Sequence, residues 1–416
     1  MISSRYDVMI RVENMTPHKL LSPSTLTFHL VLVAGFLIYA RLFGPPEATS
    51  LEVPSRPLKT SAQAEEKGGQ PENSPVPIDR SMLLTETRPG SMSHKTFFER
   101  EEKLWGRLEN SWLAELTLDK RVQAASKYHF SKSKSAMGAL ALVEVKTGRV
   151  IGLSEYIDRK HPINRRMKLN DDVHLALQSI APSSGIFRLV TAAALLESGL
   201  NPLQKYCYRK FKGAWIQAKH LKRVESNSCN YLTEAVAATD NSYLAFVSHH
   251  HLSADKLKKQ ALNLGFDRRY SYFGLPYELS VAHIPSRPLE RAKTAVGFMG
   301  SKMNTLHAAM LMSSIATDGK LKSPRLVEHI QDQSGHQIDA PEFPPMADGM
   351  SPSTAARLRR IMKNAIHESP VGKVFQDWPS QLRSMKVAGQ ASVRTFRKPS
   401  FIRYTWFVGY MPAQDP

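Results

Sequence analysis

The stretch APSSGIFRLVTAAALLESGL, residues 181–200, decides the fold of this chain because it joins a tight turn directly to an apolar helix pattern. Residues 182–185 are turn formers, and small and aliphatic residues then recur at helical spacing as far as Glu197. The pattern predicts a helix over residues 187–197. The turn comes close to a Ser-x-x-Lys nucleophile motif, yet residues 185–188 are Gly-Ile-Phe-Arg.

The segments around this stretch alternate between strand and helix patterns. Residues 138–156 predict two short strands around Lys146-Thr147-Gly148, and residues 384–392 and 402–412 predict two more, joined by a basic loop. Between them, helical periodicity predicts helices over residues 232–248, 254–264, 305–316 and 353–367, the last one basic and facing the surface. This order indicates an α+β class in which the first hairpin joins the last strands in one antiparallel sheet.

The charge of the chain indicates either an anionic neighbour or a solvated basic surface. Its 416 residues include 56 Lys and Arg against 37 Asp and Glu, a formal net charge of +19. Such a balance fits nucleic acid, an anionic membrane surface or an acidic polymer as a neighbour, and equally a basic surface that contacts only water. With 42% hydrophobic and 22% charged residues, the composition excludes a wholly disordered or collagen-like chain.

An apolar run near the N-terminus predicts a membrane anchor. Residues 26–43 are apolar apart mainly from His29 and Arg41, a length that just crosses a bilayer, and residues 44–46, Gly-Pro-Pro, end any helix there. No small-residue cleavage site follows, and more basic residues precede the run than follow it closely. We therefore expect a cytoplasmic tail over residues 1–24 and a transmembrane anchor over residues 25–43. A buried helix of a soluble protein is the alternative.

Beyond the anchor the sequence divides into a linker, a neck and a folded domain. Residues 44–95 are rich in Pro, Ser, Glu and Lys without hydrophobic periodicity, which predicts a disordered linker. Residues 96–112 carry apolar residues near helical spacing, which predicts a neck helix, and the folded domain covers residues 113–416. The two cysteines, Cys207 and Cys229, are too few for a metal cluster; they either pair in an exported domain or remain free buried thiols.

Six segments between residues 113 and 412 resemble, in the same order, parts of the transpeptidase domain of penicillin-binding proteins. They are LAELTLDKRVQAASKY, GALALVEVKTGRVIGLS, APSSGIFRLVTAAALLESGL, TEAVAATDNSYLAFV, AVGFMGSKMNTLHAAMLMSSIATDGKLKSPRLV and KVAGQASVRTFRKPSFIRYTWFVGYMP. The resemblance implies a β-lactamase and transpeptidase-like antiparallel sheet flanked by helices, an all-helical lobe, and neither a cofactor nor a metal. In that family a strand and a helix follow the WFVGY strand. We therefore expect a C-terminally shortened domain. Its sheet is completed without them, or is completed by a strand of another chain, or keeps an exposed edge in a shortened relic.

The residues that carry the family's chemistry are replaced in this chain. In the family, a serine attacks the D-Ala-D-Ala carbonyl and a lysine one helical turn later takes its proton. A Ser-x-Asn segment relays the proton, and Lys-Thr-Gly on an edge strand holds the substrate carboxylate. The corresponding degenerate positions here are Gly185 and Arg188, then Thr239, Asp240 and Asn241, then Gln390, Ala391 and Ser392.

These replacements remove the reactive groups. Gly185 has no side-chain atom to acylate, and Arg188, with a pKa above about 12, cannot act as a base. Gln390 and Ala391 lack the cation and the hydroxyl that bind a carboxylate, and Ser392 adds a Cβ where the family has a bare backbone. Ser184 is the candidate rescue nucleophile, although a shift of one residue turns a side chain by about 100° around a helix. The polar residues left to line a binding cleft are Thr239, Asn241 and Gln390.

Other matches to catalytic motifs have structural interpretations. Ser131 to Lys134 lies in a polar connector, and Ser253 to Lys256 lies at the start of a surface helix. Lys146-Thr147-Gly148 lies at a hairpin tip, where glycine supplies a positive φ. Three consecutive histidines, His249–His251, cannot face one way on a helix, so a metal site is not expected there.

The sequence thus predicts a single-pass protein of the inner, cytoplasmic membrane whose C-terminal domain faces the periplasm. The domain is expected to be catalytically inactive and to bind peptidoglycan or another anionic envelope polymer, or to scaffold cell-wall synthesis proteins; nucleic acid is not expected as a partner. The alternative is an active D,D-transpeptidase, carboxypeptidase or β-lactam-binding protein with a non-standard nucleophile. A gene product without a role is the third possibility.

Overall fold

The strands and helices follow one another in an α+β order. The computed structural model describes residues 11–13, 97–108, 112–133, 135–167, 174–213, 215–223, 228–268, 280–340, 344–368, 375, 386–396 and 402–416. The strands are β1 (Arg11–Glu13), β2 (Phe98–Arg100), β3 (Lys103–Arg107), β4 (Leu113–Leu116), β5 (Met137–Val143), β6 (Val150–Ile157), β7 (Ala181–Pro182), β8 (Tyr206–Cys207), β9 (Cys229–Asn230), β10 (Val281–Ala282), β11 (Ser301–Met303), β12 (Val327–Gln331), β13 (Gln337–Asp339), β14 (Ala388–Phe396) and β15 (Ile402–Tyr410). The α-helices are α1 (Lys120–Lys132), α2 (Pro162–Met167), α3 (Phe187–Glu197), α4 (Leu232–Ala237), α5 (Asn241–His251), α6 (Ala254–Asn263), α7 (Pro288–Ala295), α8 (Thr305–Ala316) and α9 (Pro352–Glu368). Single 3₁₀ turns cover Ser184–Ile186 and Ala218–Leu221.

A five-stranded antiparallel sheet includes the region where a neck helix was expected. Its strand order is β13-β12-β4-β3-β2, and β2 and β3 form a hairpin in which Phe98 lies opposite Trp105. The hairpin turns at Glu101 and Glu102, which have φ values of 51° and 66°. Two successive positive φ values are typical of a type I′ turn. The helix expected over residues 96–112 is therefore wrong, because this turn carries neither the glycine nor the asparagine that normally marks it.

Strands β5 and β6 form the predicted first hairpin. They pair from Met137 opposite Ile157 to Val143 opposite Val150. Lys146-Thr147-Gly148 lies in the turn between them, and Gly148 has a φ of 77°. A Cβ at Gly148 would lie 2.8 Å from the carbonyl oxygen of Ser323, so both the dihedral angle and the available space favour glycine. The literal Lys-Thr-Gly is therefore a turn, as the sequence indicates.

The last two strands pair with each other and with a short N-terminal strand. Strand β15 pairs with β14 along its whole length and with β1 at residues 403–405. Within the described residues, β5 and β6 form no ladder with β14 or β15, so the single sheet expected from the sequence is wrong; β1 pairs with β15 and also packs against β5. Residues 11–13, which lie within the range predicted as a cytoplasmic tail, pair with β15 of the domain; the tail stays a prediction.

Helix α3 lies at the centre of the domain. It has the predicted bounds, and residues 187–195 are all buried. A helix that is buried on every side needs neighbours on every side, and α3 packs against α4, α5, α6, α7 and α9. Thr191 Oγ1 donates a hydrogen bond to the carbonyl oxygen of Ala295 at 2.7 Å, which ties α3 to α7. This packing fixes the first turn of α3, where the candidate site begins.

The other helix predictions hold with two corrections. Helices α6 and α8 agree with their predicted ranges to within a residue, and Gly319 follows α8 with a φ of 95°. The pattern over residues 232–248 is divided between α4 and α5, because Thr239 adopts a φ of 57° and interrupts the helix. Helix α9 is not simply a surface helix: its apolar face, with Leu358 and Ile361, is buried.

The expected anchor and linker, residues 25–43 and 44–95, lie outside the described residues. Among the helices that the structure does describe, none combines the length and the apolar character needed to cross a bilayer.

A disulfide closes the segment between β8 and β9. Cys207 and Cys229 lie opposite each other in this strand pair, and their Sγ atoms are bonded, with the Cα atoms 3.9 Å apart. Of the two alternatives left by the sequence, paired or free, the structure therefore has the paired form. We refer to residues 207–229 as the clasped loop.

Candidate functional site

The turn that precedes α3 is held from two sides. On one side, the backbone N–H of Ser183 donates to the carbonyl oxygen of Ser301 at 3.1 Å, and the hydroxyl oxygens of these two serines lie 2.5 Å apart. On the other side, Nε1 of Trp406 donates to the carbonyl oxygen of Pro182 at 2.9 Å. The turn is therefore clamped between β11 and β15.

Gly185 and Arg188 form one packing unit. The guanidinium of Arg188 folds back over Gly185, so that a Cβ at Gly185 would lie 2.2 Å from Nη2 and 2.6 Å from Nη1. These separations are far inside van der Waals contact. The φ of Gly185 lies outside the left-handed region, so space rather than backbone conformation requires glycine here. Arg188 thus fills the position that the family resemblance assigns to the nucleophile.

Arg188 is a buried cation. Its side chain is 5% exposed, Nη1 donates to Oδ1 of Asn241 at 2.9 Å, and Nε is buried without an acceptor. Within the described part of the chain, no carboxylate lies within 4.0 Å of it. Burial lowers the pKa of Arg188 to about 10. The guanidinium therefore remains protonated at neutral pH and cannot accept a proton.

The backbone N–H of Gly185 is hydrogen-bonded to the side chain of Ser392. Its Oγ accepts a hydrogen bond from that N–H at 2.8 Å, and Ser392 is itself buried in β14. The backbone N–H of a nucleophilic residue is a common donor to the oxyanion of an acyl-transfer intermediate. In this protein that donor is satisfied internally. The sequence predicted only an added Cβ at Ser392, because nothing local links two residues 207 positions apart.

Gln390 is turned into the domain. It is 2% exposed, and its Nε2 donates to the carbonyl oxygen of Val236 in α4 at 3.2 Å, while Oε1 is buried without a partner. The expectation that Gln390 lines an open cleft is therefore wrong, because its side chain packs against α4. Ala391 lies on the opposite face of β14 from Gln390 and pairs with Phe407.

Thr239 and Asp240 in the turn between α4 and α5, and Asn241 at the start of α5, are the positions that correspond to the second family motif. Thr239 has a positive φ of 57°, a strained conformation for a β-branched residue. Asp240 caps α5, since its Oδ1 accepts from the backbone N–H groups of Ser242 and Tyr243 at 2.9 and 3.1 Å. Its Oδ2 accepts from the hydroxyl of Tyr208 at 2.5 Å. The carboxylate of Asp240 is thus used to hold the turn.

Ser184, the candidate rescue nucleophile, is buried and strained. Its φ is 50°, it is 1% exposed, and its Oγ donates to the carbonyl oxygen of Pro182 at 3.3 Å. A Cβ at Gly297 would lie 1.7 Å from the carbonyl oxygen of Ser184, so only glycine permits this contact. Among the described hydrogen bonds, none joins Ser184 Oγ to a side chain that could act as its base.

The structure brings four of the predicted positions into one cluster. Gly185, Arg188, Asn241 and Ser392 are joined by the packing and the hydrogen bonds given above, whereas Thr239, Gln390 and Ala391 border the cluster. The clamp formed by Ser301 and Trp406 was not found from the sequence, because both residues become relevant only through long-range pairing.

The other candidate motifs have local structural roles. Ser253 caps α6 and accepts from the backbone N–H of Lys256 at 3.2 Å. Ser131 lies in the last turn of α1, not in a connector, and donates to the carbonyl oxygen of Tyr128 at 2.8 Å. His250, at the end of α5, bonds through Nε2 to the carbonyl oxygen of Leu221 at 2.9 Å.

Residues 138–416 match the family profile described as the penicillin-binding protein transpeptidase domain. The chain belongs to this transpeptidase family. No curated protein matches the sequence. Two similar solved structures are the D,D-transpeptidase domain of a peptidoglycan glycosyltransferase from Eggerthella lenta and penicillin-binding protein A from Mycobacterium tuberculosis. The first is 20% identical with a TM-score of 0.57 and covers 73% of this chain and 76% of its own. The second is 19% identical with a TM-score of 0.59 and covers 73% and 72%.

These likenesses establish a common fold for the transpeptidase family and this chain. Penicillin-binding protein 2 from Pseudomonas aeruginosa is similar at 16% identity and a TM-score of 0.54, over 72% of this chain and 71% of its own. At such identities the fold is shared, while the chemistry has to be judged from the residues of each site.

The Gly185 and Arg188 packing unit generates a stability prediction. We expect Gly185→Ser to lower the free energy of unfolding by about 1–3 kcal/mol, because the new Cβ displaces the buried guanidinium from Asn241. Arg188→Lys removes part of the crowding atoms. The double variant should therefore be more stable than the sum of the two single changes implies, by at least about 0.5 kcal/mol. Urea unfolding of all four proteins measures this coupling, and additive effects would contradict the packing unit.

Proposed function

We propose that this chain is a catalytically inactive member of the transpeptidase family that binds peptidoglycan or scaffolds proteins of cell-wall synthesis. The observation that carries the proposal is the packing of the Arg188 guanidinium on Gly185, which leaves no room for a nucleophilic side chain. Its wider setting, in the periplasm and anchored by residues 25–43, is part of the same proposal.

Acyl transfer needs a nucleophile, a base and donors for the oxyanion. Gly185 supplies no nucleophilic atom, and Arg188 is protonated at neutral pH. The backbone N–H of Gly185 already donates to Ser392. None of the three groups is available at the turn before α3. Arg188 and Ser392 instead both contact Gly185.

Recognition of a substrate carboxylate is also weakened at β14. Gln390 carries no charge, and its amide is directed to the carbonyl oxygen of Val236. Ala391 has no hydroxyl. A ligand of this domain is therefore expected to bind through surfaces other than the family's carboxylate grip.

An active enzyme with a non-standard nucleophile is the second candidate. Penicillin-binding protein A from Mycobacterium tuberculosis has been solved as acyl-enzyme complexes with penicillin G and with imipenem. The equivalent reaction here would fall to Ser184. Its burial and its hydrogen bond to Pro182 argue against this role, since a nucleophile needs access to the substrate and a base.

Labelling with a fluorescent penicillin tests catalysis directly. We expect no covalent adduct on the purified chain, measured by in-gel fluorescence and intact mass, with an active family member as the positive control. We also expect none on the variant that combines Gly185→Ser and Arg188→Lys, because residues 390–392 still lack the carboxylate grip. An adduct on wild type that disappears in Ser184→Ala would establish the second candidate function instead.

Sedimentation with purified peptidoglycan sacculi tests the binding half of the proposal. With a net charge of +19, the chain should sediment with sacculi at low salt and be released progressively as the salt concentration rises. A basic protein of unrelated fold and similar charge is the control for non-specific attraction. Absence of binding even at low salt would count against peptidoglycan and leave protein partners as the remaining role.

The anchor over residues 25–43 is supported by its apolar sequence and opposed by the pairing of residues 11–13 with β15. The two arrangements differ in the side of the membrane on which Val12 lies. In spheroplasts, Val12→Cys should react with a membrane-impermeant maleimide only after lysis if the anchor spans the bilayer. The parent chain serves as the control. Its two native cysteines should not react with the maleimide, because they are bonded to each other. Reaction before lysis would exclude the cytoplasmic tail.

A further inference from the structure

The clasped loop, residues 207–229, carries a dense positive charge that no carboxylate of the described residues neutralises. Six cationic side chains lie on it and all are exposed; they are Arg209, Lys210, Lys212, Lys219, Lys222 and Arg223. Among the described residues, no carboxylate lies within 4.0 Å of any of these six. The sequence of the loop contains one acidic residue, Glu225. The charge of the loop is therefore available to an external anion.

The clasped loop is held by its own buried side chains as well as by the disulfide. Tyr208, Ile216, and Leu221 are each less than 5% exposed. The backbone N–H of Phe211 donates to Ser242 Oγ of α5 at 3.1 Å. At the other end of α5, His250 Nε2 donates to the carbonyl oxygen of Leu221 at 2.9 Å. The cations thus project from a backbone attached to α5 at two places.

Trp215 projects from the clasped loop into solvent. It is 73% exposed, whereas the next residue, Ile216, is 4% exposed and points into the domain. Lys212 and Lys219 lie on either side of Trp215 in the sequence. An exposed indole gains free energy at the boundary between lipid headgroups and acyl chains, where its apolar ring and its N–H are both accommodated.

The electrostatic environment around the clasped loop is positive. The pKa of His220 is lowered by burial and by the charges of Lys219 and Arg209. The pKa of His251, at the end of α5, is lowered by burial, by His250 and by Arg223. Clusters of four to eight basic residues beside a membrane-seeking aromatic side chain are typical of segments that bind anionic lipids.

We propose that Trp215 and the six cations of the clasped loop form a docking surface for an anionic lipid bilayer, with Trp215 seated among the headgroups and the cations facing lipid phosphates. This role is separate from the proposed peptidoglycan binding. A soluble phosphodiester polymer would satisfy the cations but would offer the indole no apolar layer. The exposed Trp215 therefore favours the bilayer.

Quenching of Trp215 by brominated lipids tests the docking surface in the full chain. The chain is reconstituted into vesicles of equal parts phosphatidylglycerol and phosphatidylcholine with brominated acyl chains. The difference between wild type and Trp215→Phe isolates the emission of Trp215, whatever membrane contact the rest of the chain makes. We expect this emission to be quenched in these vesicles and to escape quenching in vesicles of brominated phosphatidylcholine alone.

Charge reversal distinguishes the clasped loop from the general basic surface. Combining Lys210→Glu, Lys212→Glu and Lys219→Glu should lower the quenched fraction at least about tenfold. The matched control reverses three exposed lysines of α6, Lys256, Lys258 and Lys259, and should keep the quenching of wild type. Circular dichroism and intact mass establish that each variant is folded and keeps its disulfide.

Four results would overturn the docking surface. The first is equal quenching of Trp215 in anionic and neutral vesicles. The second is an equal loss of quenching in the loop reversal and in the α6 control, and the third is no Trp215-dependent quenching in any vesicle. The fourth is a Trp215 emission shift that saturates with soluble poly(glycerol phosphate) while lipid quenching is absent, which would assign the loop to a polymer. Quenching of Trp215 that is lost in the loop reversal and kept in the α6 reversal supports the bilayer.

Discussion

Helix α3 is buried along residues 187–195, and the only charged side chain in that stretch is Arg188. Burying an unpaired cation costs several kcal/mol, so every contact of Arg188 matters for the domain. Its guanidinium is held in two ways, by the hydrogen bond to Asn241 and by packing over Gly185. The elements around α3 are arranged so that both contacts of the guanidinium can form. β14 brings Ser392 to the backbone of Gly185, and α5 brings Asn241 to Nη1.

The backbone on both sides of this cation is strained. Ser184, immediately before Gly185, and Thr239, two residues before Asn241, are both in the left-handed region. Such strain persists only where the surrounding structure holds it, and it is common at active sites. Here the strained residues flank the groups that contact Arg188. Gly297 leaves room for the carbonyl oxygen of Ser184, and Asp240 fixes the turn after Thr239 by capping α5. The two strained turns therefore hold Gly185 and Asn241 in place around the buried arginine.

Sequence patterns located the elements whose signal is local. The apolar periodicity of α3 and α8 fixed their bounds, and Gly148 marked its turn correctly. Predictions were wrong where the signal was absent or long-range. The β2–β3 hairpin turns at Glu101 and Glu102, residue types that do not usually adopt positive φ. The break between α4 and α5 depends on Thr239, a residue type that gives no warning of a left-handed conformation.

In the candidate site, too, some features have a local sequence signal and others depend on long-range contacts. The presence of glycine, arginine and glutamine at residues 185, 188 and 390, in place of the serine and lysines of the family motifs, followed from residue types alone. The bond from Gly185 to Ser392 and the burial of Gln390 could not, because each depends on how β14 packs against elements far away in sequence. A replaced residue type can be read from a sequence. The contacts of the new side chain require the fold.

The first turn of α5 connects the candidate site to the clasped loop. Three consecutive residues, Asp240, Asn241 and Ser242, bind in turn the hydroxyl of Tyr208, the guanidinium of Arg188 and the backbone of Phe211. Tyr208 and Phe211 belong to the clasped loop, and Arg188 belongs to the candidate site. Because a helix turn moves as a unit, the position of Asn241 is coupled to the seating of the loop. The disulfide at the base of the loop therefore also helps to hold the partner of the buried arginine in place.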